Sequence, residues 1–179
     1  MRRVSMVGAS GSGKSTLGRA LADRLGVPFV ELDSIFHQPG WTPLPPEVFA
    51  ERVASEVGGD GWVIDGNYSA VRPIIWSRAD TVVWADPPRH VVMRRLLART
   101  VRRGVTRQEL WNGNRESLRN LFSRDPDVNV VLWAWRKHPE YRASYAEALA
   151  DPANAHLRFI RIMTPADASA LLASATRPR

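Results

Sequence analysis

The 179 residues contain no cysteine, which excludes disulfides and thiolate metal sites. Lysine is almost missing. Lys14 and Lys137 stand against 23 arginines, an imbalance that coding bias alone can produce. His37, His90, His138 and His156 are scattered, and no two share metal-ligand spacing. No apolar run approaches the ~20 residues of a membrane span. The start, Met1-Arg2-Arg3-Val4, reads as a first strand rather than a signal peptide. Internal repeats and low-complexity tracts are absent. These gaps predict a cytoplasmic chain with no membrane partner; a monomer or homodimer is expected.

Hydrophobic residues make up 44% of the chain, enough for a single packed domain over residues 1–179. The net charge of +7 is unevenly placed. Between Arg89 and Arg124 lie ten Arg and two Glu, a local charge of +8 that leaves −1 for the rest. A polyanion is expected at this segment, unless it is only a solvated helix face.

Strand-like and helix-like stretches alternate. Strands are expected at Arg2–Val7, Pro28–Leu32, Gly61–Asp65, Asp80–Ala85 and Leu157–Ile162. Helices are expected at Lys14–Leu25, Pro46–Val57, Pro88–Arg103 and Ala166–Ala175. The alternation implies an α/β fold with a parallel sheet. Residues 104–137 fit it poorly: Gly104, Asn112, Gly113 and Asn114 precede a short helical piece near Glu116–Phe122, then Asp125-Pro126-Asp127. They read as an inserted excursion rather than a domain. The tail Arg177-Pro178-Arg179 is expected to fray.

Gly8-Ala9-Ser10-Gly11-Ser12-Gly13-Lys14-Ser15 matches G-x-x-x-x-G-K-[ST] without a gap, and Thr16 follows. Its glycines permit positive φ and close approach of phosphate. Successive N–H groups and the dipole of the next helix then hold anionic oxygens. Lys14 is expected on the β- and γ-phosphates of ATP, and Ser15 on Mg²⁺. A mere Gly/Ser turn is the plainer alternative.

Three aspartates end strands. Asp65, in Trp62-Val63-Ile64-Asp65-Gly66-Asn67, suits the Mg²⁺-bound water. Asp86 either approaches the phosphates or caps the helix that Pro87-Pro88 begins. Asp33 suits an acceptor hydroxyl or general base, or else caps the turn at Ser34. Arg95 and Arg99, four apart on one helix, share a face and invite an anion between them. Arg115, Arg119 and Arg124 stand ready to add charge from the excursion. Trp41, in a Pro-rich loop with Pro39-Gly40, either stacks on an acceptor or plugs the loop. Asn67 and Tyr68 are acceptor-binding groups or a polar turn. Trp111, Trp133 and Trp135 are expected to form a small core in the excursion, with nucleic-acid stacking as the other reading.

With these residues in hand, the chain resembles the nucleoside monophosphate kinase-like branch of P-loop proteins. The glycine-rich loop, Asp65-Gly66 and Arg95-x-x-x-Arg99 follow the order of adenylate kinases. It is more similar still to bacterial proteins described as DNA topology modulation or adenylate kinase-like proteins, through Leu32-Asp33, Pro39-Gly40-Trp41, Trp62 to Tyr68, Ala79-Asp80-Thr81 and Asp86-Pro87-Pro88-Arg89. The likeness is good over about residues 3–100 and looser beyond. It implies a doubly wound five-stranded parallel sheet, order 2-3-1-4-5, with a helical lid excursion. It implies ATP on Gly8, Ser10, Gly11, Ser12, Gly13, Lys14, Ser15 and Thr16, with Arg95 by adenine, Arg99 by phosphate, and Thr164 and Pro165 as the adenine loop. Catalysis would fall to Lys14, Asp33, Arg95 and Arg99. The acceptor would meet Asp33, Trp41, Asn67, Tyr68 and Arg72, and Mg²⁺ would meet Ser15 and Asp65. Glu31 stands where such relatives often have His, and His37 where they often have Trp. The Asp-Gly-Phe-Pro-Arg run of adenylate kinases is missing, so the acceptor need not be AMP. The expected function is γ-phosphoryl transfer to a nucleoside monophosphate or small hydroxyl compound. The alternative is a nucleotide-dependent regulator associated with DNA.

Overall fold

Five short runs, each rich in branched and aromatic residues, form the central layer: β1 (Arg3–Gly8), β2 (Phe29–Glu31), β3 (Trp62–Asp65), β4 (Thr81–Ala85) and β5 (Arg158–Ile162). In the computed structural model, which describes residues 1–125 and 128–175, they pair in parallel in the order β2-β3-β1-β4-β5. This is the expected doubly wound P-loop kinase fold. The tail Arg177-Pro178-Arg179 and the Pro126-Asp127 step lie outside the described residues. Among the described residues, no helix is long and apolar enough to cross a membrane.

Both sheet faces are buried, so the central strands read as continuous apolar runs rather than alternations. Alternate side chains still divide between two cores. Val4, Met6, Val63 and Val83 pack under α1 (Lys14–Leu25) and α7 (Pro165–Ser174), against Leu17, Leu21 and Leu171. Val7, Trp62, Ile64, Val82 and Trp84 face the other way, toward α3 (Pro46–Glu56), α4 (Arg72–Trp76) and α6 (Val130–Ala150). Phe49 and Val53 of α3, Ile75 and Trp76 of α4 and Tyr145 of α6 fill that side. The parallel arrangement brings every strand's C-terminal end to one edge, where ligands bind in open α/β sheets.

Several expectations need correction. Strand two stops at Glu31, and α2 (Leu32–Phe36) begins at Leu32, so Asp33 sits in the first turn of a helix rather than past a strand. α5 (Arg89–Thr106) continues three residues beyond Arg103. The irregular stretch ends sooner than residue 137, because α6 runs 21 residues from Val130. Asn129 caps it, its side-chain oxygen accepting from Val131 N at 3.0 Å and Leu132 N at 3.2 Å. Pro139 lies inside that helix, and its inward stripe is the buried Ala134, His138 and Tyr145 with the partly buried Tyr141 and Ala148. The spacing is helical, but the residues are not the aliphatic ones that announce a core face. Asp86 does not cap α5, whose N-cap is Pro88. Its buried carboxylate instead takes ion pairs from Arg161 of β5 and Arg142 of α6, the latter at 3.1 Å. The three tryptophans do not share a core: Trp133 packs edge-on to Tyr141, Trp135 is half exposed under Arg89, and Trp111 reaches Glu31.

Phe49 is 2% exposed, with ring contacts to Phe36 and Tyr68, both at 5.1 Å. Truncating a buried phenylalanine costs about 3–5 kcal/mol through lost transfer energy and the cavity left behind. Phe49→Ala is expected to lower unfolding stability by about that amount in equilibrium urea titrations.

Candidate active site

β1 delivers its last residue, Gly8, directly into the loop that precedes α1. Gly8 has φ 140°, and a Cβ there would lie 2.3 Å from the Ala85 carbonyl oxygen. Gly11, at φ 89°, would drive a Cβ to 2.7 Å from the Val92 carbonyl oxygen of α5. These two positions are tight because strand β4 and helix α5 press against the loop. A side chain at either would push the backbone out of its curve.

Inside the loop, Ser12 N donates to Ala9 O at 3.0 Å. Among the described residues, the N–H groups of Gly11, Gly13, Lys14 and Ser15 meet no protein acceptor. Four donors at the start of a twelve-residue helix are therefore left for an anion, which is the arrangement a polyphosphate requires. The loop is therefore open to an anion rather than closed on its own N–H groups.

Ser15 Oγ donates to Asp65 Oδ2, and Lys14 Nζ lies 3.4 Å from Asp65 Oδ1. Among the described residues, Asp65 Oδ1 has no hydrogen bond beyond that ion pair. A hydroxyl and a buried carboxylate side by side are the oxygen donors Mg²⁺ takes, the carboxylate through water. The residues present thus fit the ion. Burial holds the Asp65 carboxyl above its ordinary pKa, opposed by the Lys14 ammonium and the Ser15 hydroxyl.

From α5, Arg95 Nη1 donates to Ser12 O at 3.3 Å and Arg99 Nη2 to Ser10 Oγ at 2.9 Å. The pair therefore lies along the loop, as its four-residue spacing predicts. Burial and the nearby Arg103 lower the Arg99 pKa, while the carboxylates of Glu116, Asp33 and Asp65 oppose that shift. Arg99 thus stands within electrostatic reach of both Asp33 and Asp65.

Asp33 Oδ1 accepts from Tyr68 Oη at 2.7 Å. Burial and the Asp33 charge raise the Tyr68 pKa well above that of a free phenol, so Tyr68 remains a proton donor. Ser34 Oγ donates to Glu31 O, so the turn there is closed without Asp33. The excursion packs down on this side. Trp111 Nε1 donates to Glu31 Oε2 at 2.8 Å, Asn114 Nδ2 to Gln38 O at 2.9 Å, and Asn112 Nδ2 to the Ser34 and His37 carbonyls. Trp41 N returns a bond to Asn114 Oδ1 at 2.8 Å.

One cleft of about 1190 Å³ joins these parts. Ser10, Gly11, Gly13, Lys14, Ser15, Thr16, Asp33, Trp41, Arg95 and Arg99 all line it. Asp65 lies beneath Ser15 and Lys14 at its floor. Glu31, His37, Arg103, Trp111 and Glu116 line it too and were not singled out as site residues, because their place depends on the excursion's docking.

Other expected site residues serve the framework. Asn67 brackets Gly8, accepting from its N–H at 3.1 Å and donating to its carbonyl at 2.6 Å, with Tyr145 Oη bonded to the same amide. Tyr68 holds Asp33 rather than lining the cleft. Arg72 turns away, its guanidinium over the rings of Trp76 and Tyr145. Thr164 caps α7 in a reciprocal pair with Asp167, and neither Thr164 nor Pro165 lines the cleft. Gly8 and Ser12 support the loop from below, Ser12 being buried.

The shikimate kinase family model matches residues 10–56, which span most of the loop, α1, β2, α2 and α3. A shikimate kinase of Synechococcus elongatus is 31% identical, over 70% of this chain and 80% of that one. The chain belongs to the shikimate kinase family. Solved structures share its fold: shikimate kinase from Bacteroides thetaiotaomicron has a TM-score of 0.55 at 16% identity, covering 96% of this chain and 94% of that one. Shikimate kinase from Acinetobacter baumannii, in complex with shikimate, gives 0.54 at 17% identity, covering 96% and 89%.

Two measurements test the site. Lys14→Ala is expected to abolish the rise in Tm produced by ATP and Mg²⁺, read by thermal shift. The second concerns protons. With its pKa raised on folding, Asp65 binds its proton more tightly in the folded chain. Nucleotide-free stability therefore falls as pH climbs from the ordinary aspartate range through the raised folded value. Asp65→Asn is expected to flatten that part of the profile in urea unfolding at stepped pH.

Proposed function

We propose that the chain transfers the γ-phosphoryl group of ATP to a hydroxyl of a small acceptor. The observation that carries this reading is the opening of the loop N–H groups, left unpaired among the described residues, and of Asp33 into one cleft that Arg99 also lines. Mg²⁺ would neutralise phosphate charge from beside Ser15 and Asp65. Loop N–H groups, Lys14, Arg95 and Arg99 hold the phosphates and counter the charge that builds on the transferring group. The Asp33 carboxylate takes the proton of the acceptor hydroxyl. That oxygen bonds to the γ-phosphorus as the bond to the β–γ bridging oxygen breaks, and ADP leaves with the electron pair. The segment around residues 109–117, bonded through Asn112 and Asn114 to the backbone of Ser34, His37 and Gln38, acts as a lid that excludes water.

A hydroxyl acceptor is favoured over a nucleoside monophosphate. Relatives at this level of identity carry the name shikimate kinase, which makes shikimate the first acceptor to try. The family model and the curated relatives are shikimate kinases, which gives the adenylate kinase-like reading no support. The reading as a DNA-associated regulator of topology modulation type rested on the +8 segment. Arg95, Arg99, Arg102, Arg103 and Arg115 of that segment line the cleft instead, which reduces the charge left to track a duplex.

Asp33→Asn keeps the shape and removes the base. Turnover in a coupled ADP-release assay is expected to fall by about 10²–10⁴. The Tm response to ATP and Mg²⁺ should persist. Unchanged turnover would remove Asp33 as the base.

A further inference from the structure

Asn67 and Tyr68 are neighbours at the exit of β3, and each is tied to a different half of the cleft. Asn67 holds Gly8, where β1 enters the phosphate loop, through both its N–H and its carbonyl. Tyr145 Oη of α6 donates to the same Asn67 Oδ1 at 2.9 Å. Tyr68 Oη donates to Asp33 Oδ1 at 2.7 Å. The chain reaches both partners because Gly66 passes tightly against α2. A Cβ at Gly66 would lie 2.7 Å from Leu32 Cδ1 and 2.8 Å from Leu32 Cβ, and Leu32 directly precedes Asp33. Gly66 N also donates to Met6 O of β1 at 3.3 Å, so the turn starts from the strand that feeds the loop.

A carboxylate turns easily about its last side-chain bond unless something pins it. Among the described residues, Asp33 Oδ2 accepts no hydrogen bond from the protein. One oxygen is thus held by Tyr68, and the other is left for an acceptor hydroxyl. The phenol is fixed in turn by packing, its ring 4.7 Å from Phe36 and 5.1 Å from Phe49. Neither Asn67 nor Tyr68 lines the cleft, so any part they take in the reaction runs through Gly8 and Asp33.

We infer that Asn67-Tyr68 is a two-armed positioning unit, which fixes the general base relative to the phosphate loop and so sets the approach of the acceptor oxygen to the γ-phosphorus. The inference rests on the phosphotransfer reading above. Misplacing a reacting group by about 1 Å can cost about 10² in rate, so a rigid tie between the two halves of the cleft has a kinetic consequence.

The full chain would be assayed for ADP release with ATP, Mg²⁺ and shikimate, or another small hydroxyl compound that stimulates turnover, and every variant would be checked for folding by urea unfolding. Tyr68→Phe keeps the packed ring and removes the hydrogen bond. It is expected to lower kcat by about tenfold or more, with KM for ATP and the Tm response to ATP and Mg²⁺ unchanged. In an Asp33→Asn background the same substitution is expected to change kcat by less than about twofold, because Tyr68 acts through that carboxylate. Asn67→Ala is expected to raise KM for ATP about tenfold and to shrink the Tm response. If that variant does not fold, Asn67→Asp takes its place. It keeps the acceptor for Gly8 N–H, loses the donor to the Gly8 carbonyl, and should raise KM for ATP in the same direction. Full turnover in Tyr68→Phe, or a loss that multiplies with that of Asp33→Asn, makes Tyr68 merely structural and overturns the inference while phosphotransfer stands. An unchanged KM for ATP in the folded Asn67 variant overturns it equally. If no acceptor stimulates the unaltered chain, with its Tm response to ATP and Mg²⁺ intact, phosphotransfer fails and the inference falls with it.

Discussion

Backbone N–H groups at the start of α1, left without protein acceptors among the described residues, constrain the rest of the molecule. They point into a cleft only because β1 ends at Gly8 and the chain turns sharply beneath Ala85 and Val92. The turn is held from three sides. Asn67 grips Gly8 from the end of β3, β4 abuts it, and α5 packs on Gly11 through Val92 and Leu96. The loop is thus a tertiary object, in which a local sequence supplies the glycines and remote elements fix the curve.

The same elements that hold the loop also furnish its charges. Gly11 seats α5 closely enough for Arg95 and Arg99 to reach the loop. Asp65 is placed by β3, next to β1 in the sheet. Its burial penalty is offset in part by Lys14 and Ser15, a balance that an incoming cation would shift further toward the charged form. Asp33 depends on a different support. Tyr68 follows β3 and packs on Phe36 and Phe49, so the apolar core beneath α3 orients the carboxylate through one phenol.

The basic segment has a divided role. On its inner face, arginines 95, 99 and 103 serve the cleft, and Glu116 closes back on Arg103 from the excursion. On its outer side, Arg89 lies over Trp135, tying α5 to α6. A charge of +8 read along the chain therefore does not describe a uniform basic surface.

Composition and short-range pattern determined much of this. The gapless loop motif, the period of Leu17, Leu21 and Leu25, and the apolar runs of five strands follow from residue type and spacing alone, because backbone geometry and burial act within a few residues. The places of Lys14 and Ser15 at the start of α1 and the shared face of Arg95 and Arg99 were legible for the same reason, whereas the strand order came from the family resemblance. Asn129 before Val130 was a usable helix signal, but Pro139 and a stripe of Ala, His and Tyr obscured α6. What only the tertiary structure decided is which polar residues turn inward. Asn67, Arg72, Thr164 and Asp86 were drawn to framework partners up to 78 residues away. Glu31, His37, Trp111 and Glu116 came to the cleft because the excursion folds back on α2, and no local spacing encodes that contact.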